Sequence, residues 1–392
     1  MKKFIVLTII LCIVINLCGC KEIVVKEYNQ TNKNEKYELN FSSSMAVGYN
    51  CSKTVDLVST AKTCKITDIF DIEEIEILDK HLTPSQVGTA GGEFFVVVRG
   101  DERDTLCNIS GHSPIEIYKA DVITPIFEKD GCFIFAVNET DGYGYNIMSY
   151  NPKEKSVKKL FELYEDNLPV FTEAGDYISA TEQPSLNTFG HPYDDEHNKR
   201  LKTTHYSLNS ESDGFVRPGT LSATMHGFVN TKNISNNYFM CFDYVTSQII
   251  VETIDTNEFV SEIYLDVWNK NDYLKLKFFG SRLLMRDGNG LKMHDFEDNT
   301  DHMICLLKWE GKNDNEINRF GIICEMIGDV FIFSDTENLL AYDLKKERVA
   351  TICPLEDVTY TASDNKSTFV YCQAQATPEG FESILRFKLK NK

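Results

Sequence analysis

The feature that most constrains the fold is a series of four short apolar segments within Phe320–Pro354. Each is the length of a strand, is rich in β-branched and aromatic residues, and is bounded by turn-forming residues. The segments are Ile322–Ile327, Asp329–Ser334, Leu339–Leu344 and Arg348–Cys353. Strands of this length, joined by tight turns, predict one four-stranded antiparallel sheet.

A turn followed by a strongly apolar strand recurs along the whole chain. The recurring turns stand at Gly92, Gly131, Gly175, Asn237, Gly280, Gly328 and Lys366. The intervals between them are 39, 44, 62, 43, 48 and 38 residues, and all except the 62 are close to the length of one β-propeller blade. The sequence therefore predicts an all-β chain, a β-propeller of about seven four-stranded antiparallel blades. Six or eight blades are the alternatives.

The last repeat is one strand short of four. Its final strands are predicted at Phe369–Gln373 and Ser383–Leu389, whereas Ile72–Leu78 is a predicted strand that precedes the first repeat. We expect this N-terminal strand to complete the last blade and close the ring, because closure removes two exposed sheet edges. The alternative is a separate cap over residues 41–80 and a three-stranded last blade.

Two repeats share a signature around their third strand. Tyr145–Val157 (YNIMSYNPKEKSV) is similar to Leu339–Val349 (LLAYDLKKERV), and both predict a strand, a polar turn and a further strand. The pattern resembles the degenerate blades of TolB-like and WD40-like propellers over about residues 80–392. The first copy departs from it, because Asn151 stands where the second copy has Asp343. The resemblance implies a propeller domain, a fold that hosts many functions.

The N-terminus has the pattern of an export signal. Lys2-Lys3 precedes the apolar stretch Phe4–Leu17, which is short for a spanning helix and suited to a signal peptide. Leu17-Cys18-Gly19-Cys20 follows and resembles the lipobox of bacterial lipoproteins, with Cys18 where that family usually has Ala, Ser or Thr. The resemblance implies cleavage before Cys20, lipid on its sulfur and anchoring outside the cytoplasm on the bacterial cell membrane. An ordinary secretory signal or an uncleaved anchor are the alternatives.

Three segments follow from these patterns. Residues 1–19 are the predicted lipoprotein signal peptide. Residues 20–40 are a predicted lipidated flexible tether, since Gln, Asn, Lys and Glu dominate and little could bury a core. Residues 41–392 are predicted to form a single β-propeller domain.

Cysteine content and charge exclude several classes of function. Two of the 12 Cys lie in the predicted signal peptide and Cys20 is the predicted lipid acceptor, which leaves nine. An odd number at irregular spacing, without a CxxC, predicts free buried thiols rather than a disulfide framework or a zinc site. Whether Cys51 and Cys64 pair stays open. The net charge of -19 argues against a nucleic-acid partner.

The longest interval between repeats comes from an insertion between the predicted strands Tyr177–Ala180 and Thr204–Leu208. Loops this long are uncommon unless they are functional or disordered. The candidate partner-binding residues within it are Phe189, His191, Tyr193, Asp194, Asp195 and His197. We predict a binding loop without metal or cofactor. The alternatives are a metal held between three of these side chains, His191, Asp195 and His197, and an ordinary solvated loop.

No catalytic motif stands out elsewhere. GxSxG in an esterase-like order and HExxH are absent. Asp287-Gly288-Asn289-Gly290 begins like a calcium loop, but Lys292 stands where an EF-hand needs Gly, and the segment fits a hairpin turn with positive φ angles. We therefore expect a propeller that binds an extracellular or cell-envelope partner or ligand without catalysis. A propeller hydrolase acting on glycans and a structural subunit of a lipoprotein assembly are the alternatives.

Overall fold

A computed structural model of the chain is mostly β-strand. It describes residues 39, 41–42, 45–76, 84–100, 102–110, 114–138, 144–163, 169–174, 177–181, 202–207, 215–218, 226–229, 238–243, 248–253, 259–266, 275–308, 310–363, 368–374 and 381–390. Within these ranges, no helix is both long enough and apolar enough to cross a membrane.

The N-terminal part of the described chain has three strands separated by short helices. The strands are β1 (Ala46–Val47), β2 (Lys62–Thr63) and β3 (Phe70–Glu76). The helices are the 3-10 turn Tyr49–Lys53, the single-turn helix α1 (Leu57–Thr60) and the 3-10 turn Ile66–Asp68. Asp56 caps α1 by accepting a hydrogen bond from the Ser59 backbone N–H at 2.6 Å.

The remaining strands group, in the part of the chain described here, into seven sheets that follow one another in chain order. Sheet 1 contains β4 (Pro84–Ala90), β5 (Glu93–Arg99), β6 (Asp104–Asn108) and β7 (Ile115–Ala120). Sheet 2 contains β8 (Val122–Lys129), β9 (Cys132–Asn138), β10 (Tyr145–Asn151) and β11 (Ser156–Leu163). Sheet 3 contains β12 (Val170–Ala174), β13 (Tyr177–Thr181), β14 (Lys202–Ser207) and β15 (Phe215–Pro218).

The next sheets continue the same order. Sheet 4 contains β16 (His226–Val229), β17 (Tyr238–Asp243), β18 (Gln248–Thr253) and β19 (Phe259–Leu265). Sheet 5 contains β20 (Lys275–Phe279), β21 (Arg282–Arg286), β22 (Gly290–Asp295) and β23 (Thr300–Leu306). The helix α2 (Asp314–Arg319) follows, and Asn313 caps it together with Glu316 in a capping box.

Two sheets complete the chain. Sheet 6 contains β24 (Cys324–Ile327), β25 (Val330–Ser334), β26 (Asn338–Asp343) and β27 (Arg348–Pro354), followed by the 3-10 turn Leu355–Asp357. Sheet 7 contains β28 (Val358–Ser363), β29 (Thr368–Ala374) and β30 (Phe381–Leu389), with β3 beside β30. The four strands predicted within Phe320–Pro354 are therefore confirmed as sheet 6.

Each sheet is an antiparallel meander whose first strand lies beside the first strand of a neighbouring sheet. Thus β4 contacts both β28 and β8, and β16 contacts both β12 and β20. The strands predicted after the recurring turns are confirmed as the second strands β5, β9, β13, β17, β21, β25 and β29, whereas Gly175, Asn237 and Lys366 lie outside the described residues. The core accordingly lies between neighbouring sheets. For example, Phe95 of sheet 1 stacks on Phe133 of sheet 2 with ring centroids 4.8 Å apart.

The turn between the third and fourth strands is built alike in three sheets. An Asx side chain at the end of the third strand accepts backbone N–H groups of the turn, and the residue four positions later has a positive φ. The pairs are Asn151 with Lys155, Asp295 with Asn299, and Asp343 with Glu347. The similarity between the two copies in the sequence thus reflects a shared turn. The turn can form with either Asn151 or Asp343 at this position, because both side chains offer an acceptor oxygen to the backbone N–H groups.

An N-terminal strap, residues 45–76, runs along the outer strands of the last four sheets. Its strand β1 pairs in parallel with β19, α1 packs against β23, and β2 pairs in parallel with β27. Its last strand, β3, pairs antiparallel with β30, with Phe70 opposite Leu389. The strap therefore joins sheets 4, 5, 6 and 7 by backbone hydrogen bonds and packing, in place of a separate cap.

Cys51 and Cys64 are free thiols, as are Cys107, Cys132, Cys305, Cys324 and Cys353. Burial raises the pKa of Cys51 and of Cys324 to about 12 in each case. Burial likewise raises the pKa of Cys107 to about 11. These three side chains are therefore protonated at neutral pH, and a protonated thiol is a weak nucleophile.

Candidate functional site

A cleft of about 610 Å³ opens between sheet 7 and the first turns of sheets 1 and 2. Its volume lies within the usual range of ligand sites, roughly 300–1,000 Å³. We call it the seam cleft, because it lies where the last sheet meets the first. It is lined by Asp71, Ile72, Glu73, Gly91, Gly92, Glu128, Asp130, Gly131, Lys153, Thr368, Arg386 and Lys388.

Two tight hairpin turns form one side of the seam cleft. Gly91 and Gly92 connect β4 to β5 with φ angles of 59° and 82°, and Asp130 and Gly131 connect β8 to β9 with φ angles of 51° and 80°. Positive φ at both central residues is typical of the type I′ turn, which matches the twist of a hairpin. A Cβ on Gly91 would lie 3.1 Å from the backbone oxygen of Gly131, so the two turns approach closely only because this position is glycine.

Sheet 7 forms the opposite side with charged residues from its two outer strands. Asp71 of β3 stands opposite Lys388 of β30, and Glu73 stands opposite Arg386. Residues directly opposite in an antiparallel pair project from the same face, and opposite charges there stabilise the pairing. The register of β3 on β30 therefore gives this wall of the cleft both its acidic and its basic groups.

Arg386 is held in place from two sides. Its Nε donates to Glu73 Oε2 at 3.0 Å, and its Nη2 donates to the same oxygen. The guanidinium carbon also lies 4.7 Å from the centroid of the buried Phe94 ring of sheet 1. The guanidinium thus spans the junction between sheets 7 and 1, with 22% of its side chain exposed.

Two other acidic groups at the cleft also have basic neighbours, and Glu128 is a further acid in the lining. Asp71 Oδ1 lies 3.5 Å from Lys390 Nζ, and Asp130 Oδ2 lies 3.7 Å from Lys129 Nζ. By contrast, Lys153 and Lys388 are exposed and form no ion pair with any residue that the structure describes. The seam cleft therefore contains two basic groups available to a ligand.

The residues predicted as a binding loop are not tested by the structure. Phe189, His191, Tyr193, Asp194, Asp195 and His197 lie between β13 and β14, outside the described residues. Cys20, the predicted lipid acceptor, also lies outside them. In the described ranges, no group of three or more His, Cys, Asp or Glu side chains is arranged to hold a metal ion.

Sequence reasoning did not find the seam cleft, although it used two of its residues. Gly92 and Gly131 were identified only as turns that precede apolar strands. Because Gly92 and Gly131 occupy equivalent positions in neighbouring repeats, the sequence indicates that both turns lie at the same end of adjacent sheets. The other wall depends on the register of β3 on β30. The sequence predicts that an N-terminal strand joins the last blade, but not that Asp71 stands opposite Lys388 and Glu73 opposite Arg386.

Comparisons with known proteins identify the fold. No protein-family model matches the chain, and no curated protein matches it significantly in sequence. The chain is similar to the β-propeller domain of the Trilobed protease from Pyrococcus furiosus, at 13% identity and a TM-score of 0.51 over 79% of this chain and 98% of that one. It is also similar to the uncomplexed acylaminoacyl peptidase of Pyrococcus horikoshii, at 14% identity and a TM-score of 0.52 over 80% of this chain.

The chain spans about half the length of that peptidase, since the match covers 53% of it. At such low identity the likeness concerns architecture alone, and fold does not determine function. The comparisons confirm the prediction that the chain has a β-propeller fold.

Proposed function

We propose that this chain is an exported, lipid-anchored β-propeller that binds an extracellular or cell-envelope partner or ligand without catalysis. The observation that carries this proposal is the seam cleft, a concave site with preset charged groups. Lipid on Cys20 and a tether over residues 20–40 would hold the domain at the outer surface of the bacterial cell membrane. The ring would consist of seven blades, one for each sheet, with β3 as the outer strand of the last blade.

A binding role is supported by the state of the acidic residues in the cleft. A glycan hydrolase of the usual kind needs a pair of carboxyl groups facing its substrate, one of which acts as an acid. Glu128 lines the cleft. The other three acidic residues of the lining instead have a basic neighbour, since Glu73 is bonded to Arg386 and Asp71 and Asp130 are each close to a lysine. These carboxylates stabilise the walls of the cleft, which suits a rigid binding site.

Replacing Lys388 by tryptophan is expected to reduce partner or ligand binding at least about tenfold, because the bulky ring would occupy the cleft. Lys388 lines the cleft, is exposed and stands opposite Asp71 on the same face of the sheet, so the substitution should leave the fold intact. The measurement is quantitative capture from cell-envelope extract, with circular dichroism to verify folding. Lys345→Trp is the matched control, because Lys345 is also exposed and does not line the cleft.

The same capture experiment includes a form that lacks residues 183–202. Capture by wild type and Lys345→Trp, but not by Lys388→Trp, would support the seam cleft. Equal capture by wild type and Lys388→Trp would rule the cleft out. If the deletion alone lost capture, the insertion with His191 and His197 would be the binding site instead.

The lipid anchor makes a separate prediction. Cys20→Ser removes the predicted lipid acceptor, so the protein should move from the membrane fraction to the soluble fraction. Fractionation of cells, followed by mass spectrometry of the N-terminal peptide, measures both the location and the added lipid. Cys51→Ser is the control and should remain with the membrane. Retention of Cys20→Ser in the membrane, without change, would contradict a lipid anchor at this position.

A further inference from the structure

We infer that the seam cleft binds an oxyanion, a carboxylate or phosphate group of the ligand, through Arg386, Lys388 and Lys153. This inference deepens the proposed function and rests on it. It names the chemical class of the ligand, which neither the fold nor the cleft volume specifies.

The first argument is that one guanidinium nitrogen of Arg386 has no partner among the residues described. Its Nε and Nη2 both bond to one oxygen of Glu73, while Nη1 has no hydrogen-bond partner among the residues described. A guanidinium group is a planar fork whose geometry matches carboxylate and phosphate oxygens. Since Glu73 and the Phe94 ring already fix its orientation, binding an anion would cost little additional side-chain entropy.

The second argument is the local charge balance. The chain as a whole has 59 acidic and 40 Lys and Arg residues, a net charge of -19. At the cleft, however, three of the four lining acids, Asp71, Glu73 and Asp130, each have a basic partner within ion-pair distance. The fourth lining acid is Glu128, and Lys153 and Lys388 are two further basic groups, so the lining and its ion-pair partners carry one positive charge in excess. A concave site with uncompensated charge of one sign attracts ions of the other sign.

The third argument is that the basic groups come from different elements. Lys153 lies in the turn between β10 and β11 of sheet 2, whereas Arg386 and Lys388 lie on β30 of sheet 7. All three line the same cleft. An anion seated between them would therefore contact both walls, and its binding would couple sheet 7 to sheet 2.

The test uses the full-length chain and two probes, inorganic phosphate and succinate, at constant ionic strength. We expect saturable binding of at least one probe with one site per chain, measured by isothermal titration calorimetry. Lys153→Gln combined with Lys388→Gln should weaken that binding about tenfold, a loss of about 1.4 kcal/mol shared between two exposed charge contacts. Both side chains are exposed and form no ion pair among the described residues, so these substitutions should leave Arg386 and the fold undisturbed.

Lys345→Gln combined with Lys346→Gln is the matched control. These lysines are exposed in the turn between β26 and β27, and the pair removes the same charge outside the cleft. The control should bind the probe as wild type does. Binding of phosphate alone would assign a phosphate group, and binding of succinate alone would assign a carboxylate.

Two results would overturn the inference. One is the absence of saturable binding of either probe. The other is equal affinity of wild type and the Lys153→Gln, Lys388→Gln variant. If Lys388→Trp still abolished partner capture in that case, the seam cleft would remain the binding site and only the oxyanion assignment would fail.

Discussion

Replacing Lys292 by methionine is expected to lower the free energy of unfolding by about 4 kcal/mol, the cost typical of breaking a buried ion pair. Lys292 is only 2% exposed, and its Nζ lies 3.2 Å from Asp287 Oδ2. The same Nζ donates to the backbone oxygen of Asp266 at 3.1 Å. Without the ammonium group, the fully buried carboxylate of Asp287 loses its counter-charge. Methionine keeps most of the side-chain volume, so the experiment isolates the charge.

A second variant separates charge from packing. Asp287 Oδ1 accepts the backbone N–H groups of Asn289 and Gly290, at 2.8 and 3.0 Å. Asparagine at position 287 retains that acceptor oxygen without the charge. The Lys292→Met, Asp287→Asn double variant should therefore be at least about 1 kcal/mol more stable than Lys292→Met alone. Urea unfolding followed by circular dichroism measures the differences, and simple additivity of the two changes would contradict a buried ion pair.

Replacing Gly88 by valine is expected to destabilise the protein by about 3 kcal/mol, at the upper end of the usual cost of overpacking. A Cβ at this position would lie 2.4 Å from Cε2 of Phe133. The ring cannot easily move, because Phe133 is 1% exposed and packs between Phe95 and Phe135 with centroid distances of 4.8 and 6.0 Å. The contact joins sheets 1 and 2, so the clash would act on their packing.

Phe133→Leu tests whether this contact is the cause. The smaller side chain gives the new methyl groups room, so Gly88→Val should cost less in the Phe133→Leu background than in wild type. The expected coupling is about 1–2 kcal/mol, which is usual for residues in direct contact. Thermal and urea unfolding of wild type, Gly88→Val, Phe133→Leu and the double variant give the coupling free energy. Equal costs of Gly88→Val in both backgrounds would show that the clash with Phe133 does not explain its effect.

Local sequence patterns were sufficient to find the strands. In Phe320–Pro354, turn formers separate β-branched and aromatic segments, and the structure places β24, β25, β26 and β27 there. Such signals depend on neighbouring residues and on the period of two along a strand. The prediction for Asp287–Gly290 was correct about the hairpin turn. The predicted positive φ angles were wrong, since neither glycine in the turn has one. The Asp287 carboxylate closes the turn by accepting two backbone hydrogen bonds.

The strap and the buried ion pair could not be predicted in the same way. The sequence around Ala46–Thr63 has only two-residue strands, and their partners lie more than 200 residues away. Lys292 was considered only as a reason against a calcium site, since a lysine on a strand is normally exposed. Its burial follows from the strap packing over sheet 5. There the Gly48 backbone N–H donates to Asp301 Oδ1 at 2.6 Å, and Asp301 also bonds to His294.

The sequence by itself thus determined the all-β class, the repeated meander and the tight turns, because these depend on interactions between residues close along the chain. Only the tertiary structure decided which side chains line the seam cleft. Arg386 meets Glu73 and Phe94 through the pairing of β3 with β30 and the packing of sheet 7 against sheet 1. The count of strands predicted that an N-terminal strand joins the last blade, but the register of that pairing leaves no periodic signal, since it depends on the packing of the whole domain.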